Sequence, residues 1–166
     1  MISERLASFS GNVSPDIAYT AGLLHDIGKV VLDQFIATAS PLFYRRIQEE
    51  GINLITAERE EFGTTHPVIG GKLAEKWSLP KSLTDTIINH HHPEEAIVYP
   101  ELTHVVYLAD LLMSRFMVGQ ELERLNTDDL AAKLVKIGLT PEQFPAIVDS
   151  IPRQIFSDPM SSANSS

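Results

Sequence analysis

The stretch Gly22-Leu23-Leu24-His25-Asp26-Ile27-Gly28-Lys29 sets an imidazole and a carboxylate side by side inside an otherwise apolar run. Two adjacent ionisable groups are costly to bury unless something compensates them, and a divalent metal bound by neutral imidazole and ionised carboxylate is an efficient compensator. The same residues also read as a helix C-terminus, with Gly28 as the cap, His25 hydrogen-bonded and Asp26 solvated. The rest of the chain has to decide between these readings.

Upstream, Ser14-Pro15-Asp16 has the form of a helix start. Ile17, Ala21, Leu24 and Gly28 follow at helical spacing and carry the His25-Asp26 pair toward the end of a buried helix. Downstream, the apolar run from Val30 to Phe35 is short enough to suit helix or strand. Ser40-Pro41 opens a segment through Leu42, Phe43 and Ile47 that Gly51 closes, and Thr56 to Phe62 reads as a short acidic helix ending at Gly63. Thr65-His66-Pro67 begins another helix, with Val68, Ile69, Leu73 and Trp77 as its apolar face. Within it Gly70-Gly71 costs helix propensity and permits a close helix contact.

Leu79-Pro80 restarts the chain, and Leu83, Ile87 and Ile88 lead into His90-His91-His92-Pro93. A helix from about Leu102 to Met117 carries Asp110 between Leu108 and Leu111. Thr127-Asp128-Asp129 caps a short helix that stops near Gly138, and Thr140-Pro141-Glu142-Gln143 has capping-box spacing. A final helix puts Phe144, Ile147, Val148, Ile151 and Ile155 on one face, with Pro152 expected to kink or break it. Residues 157–166 are small and polar and read as a flexible tail. Ser or Thr before Pro where helices begin, and Gly where they end, is the punctuation of an all-α fold.

The 166 residues fit a single domain with one core, taken here as residues 1–156. The absence of cysteine removes disulfides, thiolate zinc sites and cysteine nucleophiles together, so a metal must be held by nitrogen and oxygen. A formal net charge of -9 argues against a nucleic-acid surface. A local pocket for a small phosphorylated ligand is compatible with it. No apolar run reaches membrane-spanning length and no secretory start is present, so the expectation is a cytoplasmic protein with no membrane partner.

The ligand-capable residues within or beside the apolar helices are His25, Asp26, His66, His90, His91 and Asp110. A mostly imidazole set suits zinc, iron, manganese or nickel better than magnesium or calcium. Asp26 could use both oxygens to bridge two ions, with His25 and Asp110 on one and His66, His90 and His91 on the other, a layout able to direct water in line at phosphorus. Each residue also has an ordinary reading: His66 as a helix-start residue, the triple histidine as a polar helix end, Asp110 as a satisfied core carboxylate. His92 and His104 are assigned to the surface.

The string from Ala18 to Lys29 resembles the HD superfamily of metal-dependent phosphohydrolases, and more closely its HDOD branch, the HD-related output domains of bacterial signalling proteins. Phe62-Gly63-Thr64-Thr65-His66-Pro67-Val68-Ile69-Gly70, Trp77-Ser78-Leu79-Pro80 and Ile87-Ile88-Asn89-His90-His91-His92-Pro93 follow in the order and spacing of that branch, and Leu108-Ala109-Asp110 matches the superfamily's closing Asp. The resemblance covers roughly residues 1–117 and implies a helical bundle. By analogy with the HD-GYP phosphodiesterases that cleave cyclic di-GMP, it implies metal ligation by His25, Asp26, His66, His90, His91 and Asp110, with Asp26 and Lys29 as the catalytic pair. Lys29 would face the substrate phosphate.

The chain departs from the HD-GYP pattern twice. After the paired histidines, Glu94-Glu95-Ala96-Ile97-Val98-Tyr99-Pro100 keeps the final Tyr-Pro but has none of the glycines. Residues 1–24 hold no histidine, so the chain reads as beginning just after the superfamily's first metal-binding His, with the helices that carry it lying upstream, or as having lost that His. The expectation is therefore an all-α HDOD module in bacterial signal transduction with a partly retained divalent-metal site of one or two ions, or none. Its partners would be signalling proteins or a small phosphorylated ligand. The alternative is a metal-dependent phosphohydrolase or phosphodiesterase acting on a nucleotide or cyclic dinucleotide.

Overall fold

In a computed structural model, which describes residues 1–39, 42–118 and 127–151, every regular element is helical. The order is α1 (Ile2–Ser10), α2 (Pro15–Leu24), α3 (Ile27–Ala39), α4 (Phe43–Glu50), α5 (Leu54–Phe62), α6 (His66–Lys76), α7 (Lys81–Asn89), α8 (Pro100–Val118), α9 (Thr127–Lys136) and α10 (Phe144–Ser150). Single 3-10 turns follow α7 at Pro93–Glu95 and precede α10 at Pro141–Gln143. Among the described residues no helix is long and apolar enough to cross a membrane. The Ser40-Pro41 start, the expected kink at Pro152 with Ile155, and the tail from 157 lie outside the described residues.

The chain forms two compact units, one of Met1–Gly22 with His104–Ser166 and one of Leu23–Thr103. In the first, α1 packs against α10. Leu6, Val105, Leu108, Leu112, Leu134, Ile137, Leu139 and Ile147 are buried there. Thr140 and Gln143 close the expected capping box, the Gln143 side chain accepting from the Thr140 amide at 2.8 Å. His104, read from the sequence as a surface residue, is buried at the start of this unit. The residues that follow it, Val105 and Val106, are also buried, so His104 stands in a buried run and not on a polar face.

The second unit holds the quoted stretch from Leu23 onward, and two details of its reading are corrected. α2 ends at Leu24, so His25 and Asp26 form the turn between α2 and α3 instead of the last turn of one buried helix. α2 itself buries only Ala18 and Ala21 and leaves Ile17, Tyr19 and Leu23 exposed. Gly28 is not a cap. It lies inside α3, where an added methyl would overlap the His66 carbonyl oxygen and come within 2.8 Å of the Gly70 amide nitrogen. Glycine is needed here because two helix backbones touch.

α6 packs on α3 and α7 through small residues. His66, Pro67, Gly70, Gly71 and Ala74 are its buried side, whereas Val68 and Trp77, expected on the apolar face, are exposed. The seam selects for absence of bulk, and a count of large apolar residues therefore points to the wrong face. α5 is set by a stronger signal than the sequence reading used: Asn53 caps it by accepting from the Ile55 amide at 2.8 Å, and Gly63 ends it at φ 67°.

Candidate metal centre

α6 begins at the point of closest approach to α3, so its first residue, His66, is delivered to the turn that carries Asp26. α7 ends at Asn89 with His90 as its C-cap, and this end brings His90 and His91 to the same place. Asp26 Oδ1 lies 3.3 Å from His66 Nε2 and 3.6 Å from His90 Nε2. His66 Nε2 is 3.4 Å from His90 Nε2 and 3.0 Å from His91 Nε2. The ligand atoms of Asp26, His66, His90 and His91 all fall within 4.8 Å of one another.

These spacings match what a metal requires. Ligands about 2.1 Å from a tetrahedral ion stand about 3.4 Å from each other. The wiring behind them points the same way. His66 Nδ1 lies 2.9 Å from both oxygens of Glu58, and His90 Nδ1 lies 2.8 Å from the Ile87 carbonyl oxygen. Each Nδ1–H donates outward, so in the neutral ring each Nε2 lone pair faces its neighbours, an arrangement that a shared proton or a shared metal ion makes favourable. Asp26 Oδ1 is buried and makes no hydrogen bond of good geometry. The cluster can hold a metal ion, and its donor set suits a divalent transition metal.

The electrostatics agree. Burial would raise the Asp26 carboxyl, but the imidazoles of His66 and His90, with the charges of His25 and Lys29, outweigh it and hold Asp26 far below the usual carboxylate range. Burial pushes His66 down, and Asp26 and Glu58 more than reverse this, leaving its imidazole more basic than normal. His90 is lowered by burial, which its contacts with Asp26 and Ile87 only partly offset. One imidazole of the group thus takes up a proton more readily than usual and its neighbour less readily, which sets a proton and a metal in competition for the same space.

His25 stands beside this group, with Nε2 3.4 Å from Asp26 Oδ2 and its ring edge-on to His90 at 4.9 Å. Lys29 Nζ is 2.8 Å from Asp26 Oδ2, one turn into α3. Asp110 is half-buried on α8, in the unit of Met1–Gly22 and His104–Ser166. His92 is exposed.

Two residues went unremarked in the sequence. Glu58, 2% exposed, was one acid in an acidic helix. Its signal was register: it sits four residues after Leu54 and four before Phe62, both of which pack on the core, just as His25 stood out in an apolar run. Asp85 holds the segment after the triple histidine, accepting from the Ile97 and Val98 amides at 3.0 and 2.8 Å and from Asn89 Nδ2 at 2.9 Å. Asn89 is one helical turn on, but Ile97 and Val98 lie 12 and 13 positions away across a loop, and no spacing rule announces those two.

The family model for the HDOD domain matches residues 1–93. Over 112 residues the chain is 30% identical to an uncharacterized protein of Treponema pallidum (strain Nichols), covering 62% of this chain and 20% of that protein. Over 108 residues it is 33% identical to Ribonuclease Y of Aquifex aeolicus (strain VF5), covering 63% of this chain and 17% of that protein. The chain thus spans a fifth or less of the length of these curated relatives. Among solved structures it is similar to an HDOD domain protein of unknown function from Geobacter sulfurreducens. There the identity is 27% and the TM-score 0.72, over 93% of this chain and 56% of that one.

Proposed function

Because the chain belongs to the HDOD domain family, we propose that it is a regulatory module of bacterial signalling in which Asp26, His66, His90 and His91 hold a divalent transition metal. One observation carries this reading: three Nε2 atoms and one carboxylate oxygen converge at ligand spacing, with the Nδ1 atoms of His66 and His90 bonded outward. A bound iron, manganese, zinc or nickel ion would supply fixed positive charge and Lewis acidity there. His25 Nε2 stands 3.4 Å from the other Asp26 oxygen and would be a further ligand on that side. The segment after the histidines favours regulation over turnover, because Asp85 ties down its amides where the HD-GYP relatives have a glycine-rich loop. The module's output would pass to a signalling protein or depend on a small phosphorylated ligand.

Metal analysis of untagged protein tests the reading, with His90→Ala and Asp26→Ala as controls. One or two equivalents of transition metal per chain, lost in both variants, is the expected result. No metal after incubation with manganese, iron or zinc would end it.

A second reading, hydrolysis of a phosphate ester, is favoured by Lys29. Its ammonium lies beside the ligand carboxylate Asp26 and could meet an anionic phosphate oxygen at the rim of the centre, and one curated relative is named a ribonuclease. In this reading Asp26 holds the metal and Lys29 orients the phosphate of a nucleotide, a cyclic dinucleotide or a longer phosphodiester. Metal-loaded protein that cleaves an aryl phosphodiester, with the rate lost in Lys29→Met, would replace the regulatory reading with this one. Absence of cleavage would remove the second.

A further inference from the structure

We propose that Glu58 is a positioning residue that decides which nitrogen of His66 faces the metal centre. The inference rests on the metal reading above for its consequence, but the control of the ring stands on its own geometry. Glu58 is 2% exposed and His66 is fully buried. Glu58 Oε2 accepts from the His66 backbone amide at 2.8 Å, and both carboxylate oxygens lie 2.9 Å from His66 Nδ1. One carboxylate therefore fixes both the first turn of α6 and the ring that this turn carries.

A neutral imidazole has one N–H and one bare nitrogen. Were the bare nitrogen at Nδ1, its lone pair would face an ionised carboxylate at 2.9 Å with no water to separate them. The proton is thereby held at Nδ1, and the lone pair of Nε2 is left among Asp26 Oδ1, His90 Nε2 and His91 Nε2. His90 reaches the same tautomer with a neutral acceptor, the Ile87 carbonyl. The charged acceptor on His66 adds basicity to the nitrogen on the far side of the ring, as carboxylates behind metal-binding histidines do.

A purely structural role, securing the start of α6, predicts a change in stability and nothing else. The test separates the two. Glu58→Gln keeps an oxygen for the His66 amide but can turn its NH2 toward Nδ1, which favours the reverse tautomer. Nitrogen-15 NMR of the imidazoles, on metal-free protein at alkaline pH where the rings are neutral, reads the tautomer directly. Zinc and manganese titrations on the same samples read affinity. Wild-type His66 is expected as Nδ1–H and the variant shifted toward Nε2–H, with metal affinity lower by about 10–100-fold. Glu58→Asp, which retains the charge, is expected to restore the Nδ1–H form.

A folded Glu58→Gln protein with the wild-type tautomer and affinity would overturn the proposal, and so would a wild-type ring found as Nε2–H. If Glu58→Gln does not fold, the wild-type tautomer and Glu58→Asp decide it in the same way. A tautomer shift in a protein that binds no metal would remove the metal reading and leave Glu58's control of the ring intact. Metal bound equally well by wild type and by a variant that keeps the wild-type tautomer would do the reverse.

Discussion

Ala57 and Glu58 are adjacent in α5, yet they serve two neighbourhoods of the Leu23–Thr103 unit that are built differently. Ala57 joins Leu32, Ile36 and Phe43, with Ile47, Ile52, Leu54, Phe62 and Ile69 around them, in an ordinary apolar cluster. Glu58 joins His66 and, through it, Asp26, His90 and His91, where α3, α6 and α7 meet over glycines. The cluster stabilises by burying hydrocarbon. The seam buries charges and gives up side-chain bulk, so it costs stability and yields geometry. That division is the mark of a site carried by a scaffold.

The largest effect should come from the scaffold. Phe43 is 2% exposed and packs edge-on against Tyr44 and at a tilt against Phe62. Phe43→Ala should therefore lower stability by about 3–5 kcal/mol in urea denaturation. The fraction that stays folded should bind metal with wild-type affinity, because the ring partners of Phe43, Tyr44 and Phe62, are not among the ligand residues Asp26, His66, His90 and His91. Loss of affinity in folded protein would show the two neighbourhoods to be coupled.

Gly28→Ala inverts the pattern. The methyl gains up to about 1 kcal/mol of helix propensity. It also collides with the His66 backbone, which cannot rotate away as a side chain would, and overpacking of this kind costs about 1–3 kcal/mol. The net stability change should be smaller than for Phe43→Ala, while metal affinity falls, since α6 must move off α3 and take His66 with it. Isothermal titration with zinc on the folded variant checks this, and unchanged affinity would mean that the contact only holds the helices together.

pH sharpens the comparison further. In metal-free protein Asp26 is depressed, so its contribution is present above about pH 4 and is lost as the pH falls below that. His90 is also depressed, so the unfolded chain takes up its proton first and stability falls below about pH 6.5. His66 is raised, and its contribution is lost as pH climbs above about 6.5 through the folded value. Stability against pH should therefore peak near neutrality and fall on both sides. Added zinc should reverse the alkaline fall, because metal takes the place of the His66 proton. Thermal melts from acid to alkaline pH, with and without zinc, would show it, and an alkaline limb that persists with zinc would separate the metal from His66.

The helices, and four of the polar residues that converge around Asp26, stood out in the sequence for a common reason. Polar groups in apolar registers, such as His25 and Asp26, and punctuation such as Thr65-His66-Pro67 are local signals, and local signals survive in one dimension. What failed was contact-determined. Gly28 read as a cap because its true reason, the His66 carbonyl, is 38 positions away in the chain. Trp77 and Val68 read as core because hydrophobicity was taken as burial, when α6 is buried through its small side. Glu58 was lost among Glu60 and Glu61, and composition cannot tell which carboxylate of an acidic helix turns inward.

Those outward carboxylates give the smallest effect. Arg46 meets Glu50 at 3.1 Å, Glu60 at 3.2 Å and Glu61 at 3.5 Å, and all four side chains reach solvent. Exposed pairs exchange water for each other with little gain, and salt screens them over about 8 Å at physiological ionic strength. Arg46→Ala leaves three glutamates facing one another, so at low salt the urea midpoint should fall slightly, and in high salt the shift should vanish. A shift of equal size at both ionic strengths would mean that Arg46 acts through its aliphatic stem lying on the α4–α5 cluster. The outer helices would then be held by the same hydrocarbon burial as Phe43, and charge would matter to stability only where Glu58 and Asp26 bury it.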